Sequence, residues 1–393
     1  MTNSKSQTSA IQNTEFMSKK IRKHYSFKLK KTRFVIAMLT LCIILFSLPE
    51  SFAEEEEEEE PSESWKTLSE LPERRTSSAA VTLDDKVYVI GGLNNKDEDT
   101  NTVFVYDTSS DEWTNVSPIP LTLHHMDAAS YEGKIYVVGG YAGNWIASEA
   151  LLIYDSDNDT WEFGENMPTP RGALSAEFIS GKLYAVGGFG IDGTYSTVEQ
   201  YDPDVDSWKT IANMPTAREH LATSVVDGKL YAIGGFAKGI GNLDVNEVYD
   251  SQNDSWETLT PMPTARNGMA SSELNGVIFV FGGKNTVKTF NENEAYIPQE
   301  DMWYTLQPLP VPRQGLFSST VVDTIYVMGG GFVPGASYSN LNHAYQNNVI
   351  PEFGTIAILV LITSVLAAIF ASRYLGKKQA ILQENNLARR QEQ

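Results

Sequence analysis

Five arginines stand three residues after a proline at matching places in the chain: Arg75, Arg171, Arg218, Arg266 and Arg313. Guanidinium groups are planar, permanently charged and suited to paired contacts with carboxylate, sulfate or phosphate. Five that converged on one opening would form an anion-binding ring. The competing assignment is structural, because Glu199, Glu247 and Glu294 each lie two residues before a tyrosine and can neutralise one arginine apiece. One unit breaks the pattern, with Leu123 in place of arginine and His124-His125-Met126-Asp127 after it; His220 holds the place of His125 two units later. Histidine with aspartate can form a general acid-base pair or ligate metal, but these two histidines share no close ligand spacing, and a hydrogen-bonded structural role competes. Trp145 stands outside the pattern, in GGYAGNWIASEA, with Tyr141, Phe189, Tyr195, Phe236 and Phe332 in nearby or equivalent loops. Exposed rings stack on sugar faces, whereas buried ones cover the bases of loops. The ligand-binding candidates are the five arginines, Trp145, Tyr141, His125 and His220; no catalytic residue, cofactor or metal site is expected.

A repeat positions these residues. Trp65, Trp113, Trp161, Trp208, Trp256 and Trp303 recur at steps of 47 or 48 residues. Each precedes a proline by seven residues, at Pro72, Pro120, Pro168, Pro215, Pro263 and Pro310. Each also precedes a glycine pair by 26: Gly91-Gly92, Gly139-Gly140, Gly187-Gly188, Gly234-Gly235, Gly282-Gly283 and Gly329-Gly330. Six copies in register make this a repeat architecture. After each proline come two short apolar runs that suit strands, such as LATSVV and KLYAIGG, joined by a tight turn at Asp227-Gly228. A third strand ends in tyrosine, followed by aspartate at Tyr106, Tyr154, Tyr201 and Tyr249 but not at Tyr296 or Tyr345; a turn then leads to the Trp strand. Four antiparallel strands make a poor core alone. Packed radially against copies of itself, each sheet buries both faces as a β-propeller blade.

These residues resemble the kelch-repeat signature from Trp65 to about Gln346; the Gly-His and Trp-Asp pairs of WD40 repeats are missing. The expected fold is all-β, a six-bladed kelch propeller with a signal helix before it and a transmembrane helix after it. The first Trp strand precedes the first glycine pair and the last unit stops at its Tyr strand, so the strand at Trp65 is expected to complete the sixth blade and leave no open edge. The resemblance implies that the arginine position starts the innermost strand near one mouth, where some kelch proteins bind acidic ligands. Six-bladed kelch proteins include a sialate mutarotase, which makes an enzyme acting on an acidic sugar the alternative to a binding module. The galactose-oxidase kind needs a Tyr–Cys cross-link, and the only cysteine, Cys42, lies in the expected signal peptide. Intracellular ubiquitin-ligase adaptors carry a preceding dimerisation domain that does not occur here.

The ends of the chain carry an address. Residues 1–53 hold nine Lys or Arg against two acids, with the 13-residue apolar run Phe34 to Phe46 and a cleavage-like Ser51-Phe52-Ala53. That run spans about 20 Å as a helix, short of the about 30 Å of a bilayer core, so residues 1–53 read as a signal peptide, beginning at Met1 or Met17. Residues 54–64 form an acidic linker, 65–346 the propeller, and 347–354 a linker containing Pro351-Glu352-Phe353-Gly354. Residues 355–372 are long and apolar enough to cross a membrane, and the basic tail 373–393 places them with the propeller outside. This end resembles the PEFG-CTERM sorting signal of ammonia-oxidising archaea, although the tail after Arg373 is longer than usual for it. The resemblance implies a sorting transpeptidase as partner, which removes the helix and attaches the protein to lipid. Sequons at Asn115, Asn158 and Asn253 are glycosylation candidates on the outer rim.

Charge excludes one class of partner. Residues 54–370 carry 16 Lys or Arg and 46 Asp or Glu, a net −30, and offer no basic patch for nucleic acid. The Asp-x-x-x-Asp-x-Trp turns lack the glycine and distal glutamate of a calcium loop and read as hairpin turns. The reading is an exported, membrane-tethered, non-enzymatic module at the cell surface that binds a glycan, peptide or envelope protein; a purely structural envelope protein is the third alternative.

Overall fold

The structure is a computed structural model and describes residues 65–346. The expected signal peptide, acidic run, sorting motif and membrane helix lie outside the described residues. Among those residues every regular element is a strand, and no helix is long and apolar enough to cross a membrane.

Six four-stranded antiparallel sheets follow one another along the chain. Blade 4 shows the pattern, with Ala222–Val226 innermost, then Lys229–Ile233, Asn246–Asp250 and Ser255–Thr258 at the rim. The second strand is buried from Leu230 to Ile233, on both faces, because each face meets a neighbouring blade. The rim strand is mostly exposed. The innermost strands of all six blades pack side by side in a closed circle, blade 1 against blade 6 included. Blade 6 takes its rim strand from the start of the described chain: Trp65 pairs with Tyr345 and Thr67 with His343. The expected clasp is present, and it removes a free sheet edge.

The repeated tryptophan and aspartate join neighbouring blades at the rim. Trp161 donates its indole N–H to Ser117 O of blade 1 at 2.8 Å, while Asp159 accepts the Ser117 N–H at 2.8 Å. The same Asp159 oxygen accepts the hydroxyl of Tyr154 at 2.8 Å. Equivalent clamps recur through Trp113 and Asp111, Trp208 and Asp206, Trp256 and Asp254, and Trp303 and Asp301. The glycine pairs allow close approach: at Gly139, with φ +66°, a Cβ would stand 2.6 Å from Arg171 O of the next blade. Each apolar cluster joins facing sheets of adjacent blades, so no blade owns a core.

Candidate functional site

The five arginines do not form an open ring. All are 0–1% exposed, laid back into their blades beneath the mouth. Arg171 Nη1 meets Glu199 Oε2 at 2.6 Å, Arg218 meets Glu247 at 2.8 Å, and Arg266 pairs with Glu294. A threonine one residue after the repeat proline, Thr169, Thr216 or Thr264, donates to the other carboxylate oxygen at 2.7 Å. Burial presses the guanidinium pKa values down and the glutamates oppose this. In blade 6 the glutamate position is His343, whose Nδ1 lies 3.0 Å from Arg313; burial and that cation hold the imidazole down to about 4. In blade 1 it is Phe104, whose ring lies under Arg75, and Arg75 reaches Glu73 and Thr102 instead. This is a core arrangement, and none of the five lines the central channel.

The channel mouth is built two residues further along each unit. Ser77, His125, Ala173, His220, Gly268 and Gly315 all have φ between +51° and +60°. Each donates its N–H to the carbonyl of its counterpart in the preceding blade, from His125 to Ser77 at 2.9 Å round to Ser77 to Gly315 at 2.8 Å, which closes a circle of six bonds. The backbone is therefore six-fold while the side chains are not. Blades 5 and 6 present glycine, blade 3 alanine, and blades 2 and 4 histidine. The rings of His125 and His220 meet with centroids 5.1 Å apart, so residues 95 apart in sequence share one site.

Around His125 the second blade builds an aromatic wall. The loop after Gly140 pairs Tyr141–Ala142 with Ile146–Ala147 and holds Trp145 at φ +59°. Trp145 packs on His124 and His125 with centroids at 4.6 and 5.1 Å and on Tyr141 at 5.2 Å. It remains 59% exposed, whereas Tyr141 is buried beneath it and donates to Phe189 O at 2.9 Å. Across the mouth, Glu219, His220, Phe236, Asn267 and Lys284 line a cavity of about 280 Å³. Burial raises Glu219 to about 7 against the pull of Lys284, and lowers Lys284 against the pull of Glu219. Burial, Lys284 and His124 hold His220 down to about 3. His125 lies well below its usual value through burial, His220, His124 and Lys284.

Below the circle the channel is walled by alanine, serine and threonine, with Asp127, Glu177 and Glu273 among them. Asp127 accepts from Ser175 and from the Ala176 N–H, both at 2.8 Å. Hydroxyls stitch adjacent blades, as in Ser175 to Thr223 at 2.8 Å and Ser272 to Ser318 at 2.8 Å. Among the described residues no three His, Cys, Asp or Glu side chains converge as a metal would need.

Comparison with known proteins fits this geometry. A family model described as the KLHDC2/KLHL20/DRC7 Kelch-repeats domain matches residues 61–214, and one described as the Kelch motif matches 217–263. The chain carries kelch repeats. The solved "Structure of YjhT" superposes with a TM-score of 0.62 at 17% identity, covering 70% of this chain and 96% of that one. That likeness shows the fold. No curated protein matches the chain in sequence.

Within this kelch ring, the structure brings His125, His220, Tyr141 and Trp145 to one mouth and keeps the arginines away from it. Phe332 is exposed at 45%, while Phe189, Tyr195 and Phe236 are partly buried in the loop layer. Asn115, Asn158 and Asn253 are exposed on rim strands or the turns before them. Ser77, Glu219 and Lys284 escaped notice as site residues. The signal for two of them was available: Glu219 and Lys284 follow an arginine or a glycine pair directly, at offsets whose side chains differ between units.

Proposed function

We propose that the kelch ring is a binding module whose loop-bearing mouth receives a surface glycan, with Trp145 as its stacking platform. The exposure of Trp145 carries this reading. A large ring 59% open to solvent, fixed from behind by His124, His125 and Tyr141, offers a rigid flat face to a sugar. The polar cavity of Glu219, Asn267 and Lys284 supplies hydrogen bonds across the mouth. The signal peptide and membrane anchor expected from residues 1–53 and 355–372 would hold this mouth outside the cell. A glycan array on the purified protein tests the reading. Trp145→Ala is expected to weaken binding about tenfold, about 1.4 kcal/mol, with an unchanged melting temperature. Binding that survives the substitution moves the site off this mouth, and capture of peptides alone replaces glycan by a protein partner.

A second reading, an enzyme acting on an acidic sugar, is favoured by one observation: Glu219 near 7 beside Lys284 and two neutral histidines combines a proton carrier with an anion partner. Turnover lost in Glu219→Gln with binding retained would establish it.

A further inference from the structure

Four side chains at the mouth run from a carboxylate to a hydroxyl. Asp99 Oδ1 faces His124 Nε2 at 3.5 Å, His124 Nδ1 is in hydrogen-bond contact with His125 Nδ1, and His125 Nε2 lies 3.0 Å from Ser77 Oγ. Asp99 is itself held by the Gly143 N–H of the Trp145 loop. With both imidazoles neutral, one assignment of protons satisfies every contact. The carboxylate keeps the His124 proton on Nε2, so His124 Nδ1 accepts from His125 Nδ1–H, and His125 Nε2 is left to accept from the Ser77 hydroxyl. Every donor in the chain points toward Asp99, and the free lone pair points at Ser77.

We propose that Ser77 is a nucleophile activated by His125, with His124 and Asp99 as positioning residues, and that it takes acyl groups from O-acyl esters. The proposal does not depend on the glycan reading. Ser77 Oγ bonds to the acyl carbon as its proton passes to His125 Nε2; the ester C–O bond breaks and the alcohol leaves with that proton. Water then gives a proton to the same nitrogen and adds to the acyl carbon; the acyl–Ser77 bond breaks, His125 returns the proton to Ser77 Oγ, and a carboxylic acid is released.

The surroundings suit this step. A Cβ on Gly315 would stand 3.2 Å from Ser77 Oγ, so glycine there leaves the hydroxyl open on that side. A Cβ on Gly268 would stand 4.0 Å from Lys284 Cε, which brings the lysine to the same circle. Its charge is felt at His125 and His220, so a cation stands at the mouth where negative charge would gather during acyl transfer. His125 is faced by His124, His220 and Lys284, and His124 in turn by Asp99 and Asp97. That setting keeps His125 in its base form at neutral pH.

The test is labelling of the full-length protein with a fluorophosphonate, mapped by peptide mass spectrometry. Ser77 is expected to label at least tenfold faster than Ser318, a half-buried serine of the same channel. His125→Gln should remove that advantage, and Asp99→Asn should reduce it. In the unsubstituted protein the rate should hold as pH falls through 6.5, where an ordinary histidine base would lose it. Equal labelling of Ser77 and Ser318 in the unsubstituted protein overturns the proposal without any variant. So does a Ser77 rate that His125→Gln, shown folded by its melting curve, leaves unchanged.

Discussion

Blades 2 and 4 share one repeat pattern and fill the same buried position in opposite ways. In blade 4, Arg218 faces Glu247 at 2.8 Å with Thr216 on the other carboxylate oxygen. In blade 2 both members are leucine, and Leu123 and Leu152 are 1% and 0% exposed. Charge and counter-charge have disappeared together. Losing one alone would strand an ion away from water unless another partner replaced it, as Glu73 and Thr102 do for Arg75 and His343 does for Arg313. The position therefore belongs to the core, and five arginines at one offset signal a staple rather than a ligand ring. The blades diverge two residues on, where the backbone circle carries serine, histidine, alanine or glycine.

The largest expected effect breaks this comparison directly. Arg218→Leu should cost about 3–5 kcal/mol in urea denaturation, because Glu247 is left buried and unpaired. Adding Glu247→Leu should restore most of the loss and make blade 4 a copy of blade 2. A single substitution costing under about 1 kcal/mol would return the arginines to the list of ligand groups.

The rim offers a smaller test. Asp159→Ala removes the acceptor for both Tyr154 and the Ser117 N–H. A loss of about 1–3 kcal/mol is expected for these two bonds. Asp157→Ala, an exposed residue of the same turn, should change stability by less than about 0.5 kcal/mol. Equal effects would mean that the turn, not the link between blades, is what aspartate supports.

The ring was legible because its evidence is periodic: tryptophan, proline and glycine pairs recur, and each has a local cause in a strand, a turn or a close approach. The clasp at Trp65 followed from counting strands. The site was hard to read for the opposite reason. His125 and His220 are 95 residues apart in sequence, and nothing in their spacing shows that a closed circle brings their rings within 5.1 Å. Ser77 looks like any serine until His125 of the next blade reaches it. The arginines misled as ligand candidates because a repeated charge looks like a ring when viewed along the chain; only burial shows that each one turns inward. Leu123 and Leu152 held the clue, since arginine and glutamate vanish from the same unit.

The smallest expected effect separates the channel from the mouth by pH. Burial, Asp127 and Glu273 raise Glu177 to about 8, whereas burial, Lys284 and His124 hold His220 down to about 3. Glu177 binds its proton more tightly folded than unfolded. Its stability is intact below the ordinary value of 4.5 and is lost as pH rises toward 8. His220 binds its proton less tightly folded, so stability is intact above 6.5 and is lost as pH falls toward 3. Melting temperature against pH should therefore decline on both sides of a maximum. Glu177→Gln should flatten the alkaline limb alone, and His220→Asn the acid limb alone. The alkaline change should be modest, since Glu177 is half-buried and channel water screens its charge. If Glu177→Gln leaves that limb unaltered, Glu177 is ionised in the folded ring and the channel carries a negative charge. The propeller would then present an aromatic mouth that carries Lys284 above an anionic bore, a division that favours uncharged or cationic groups below the circle.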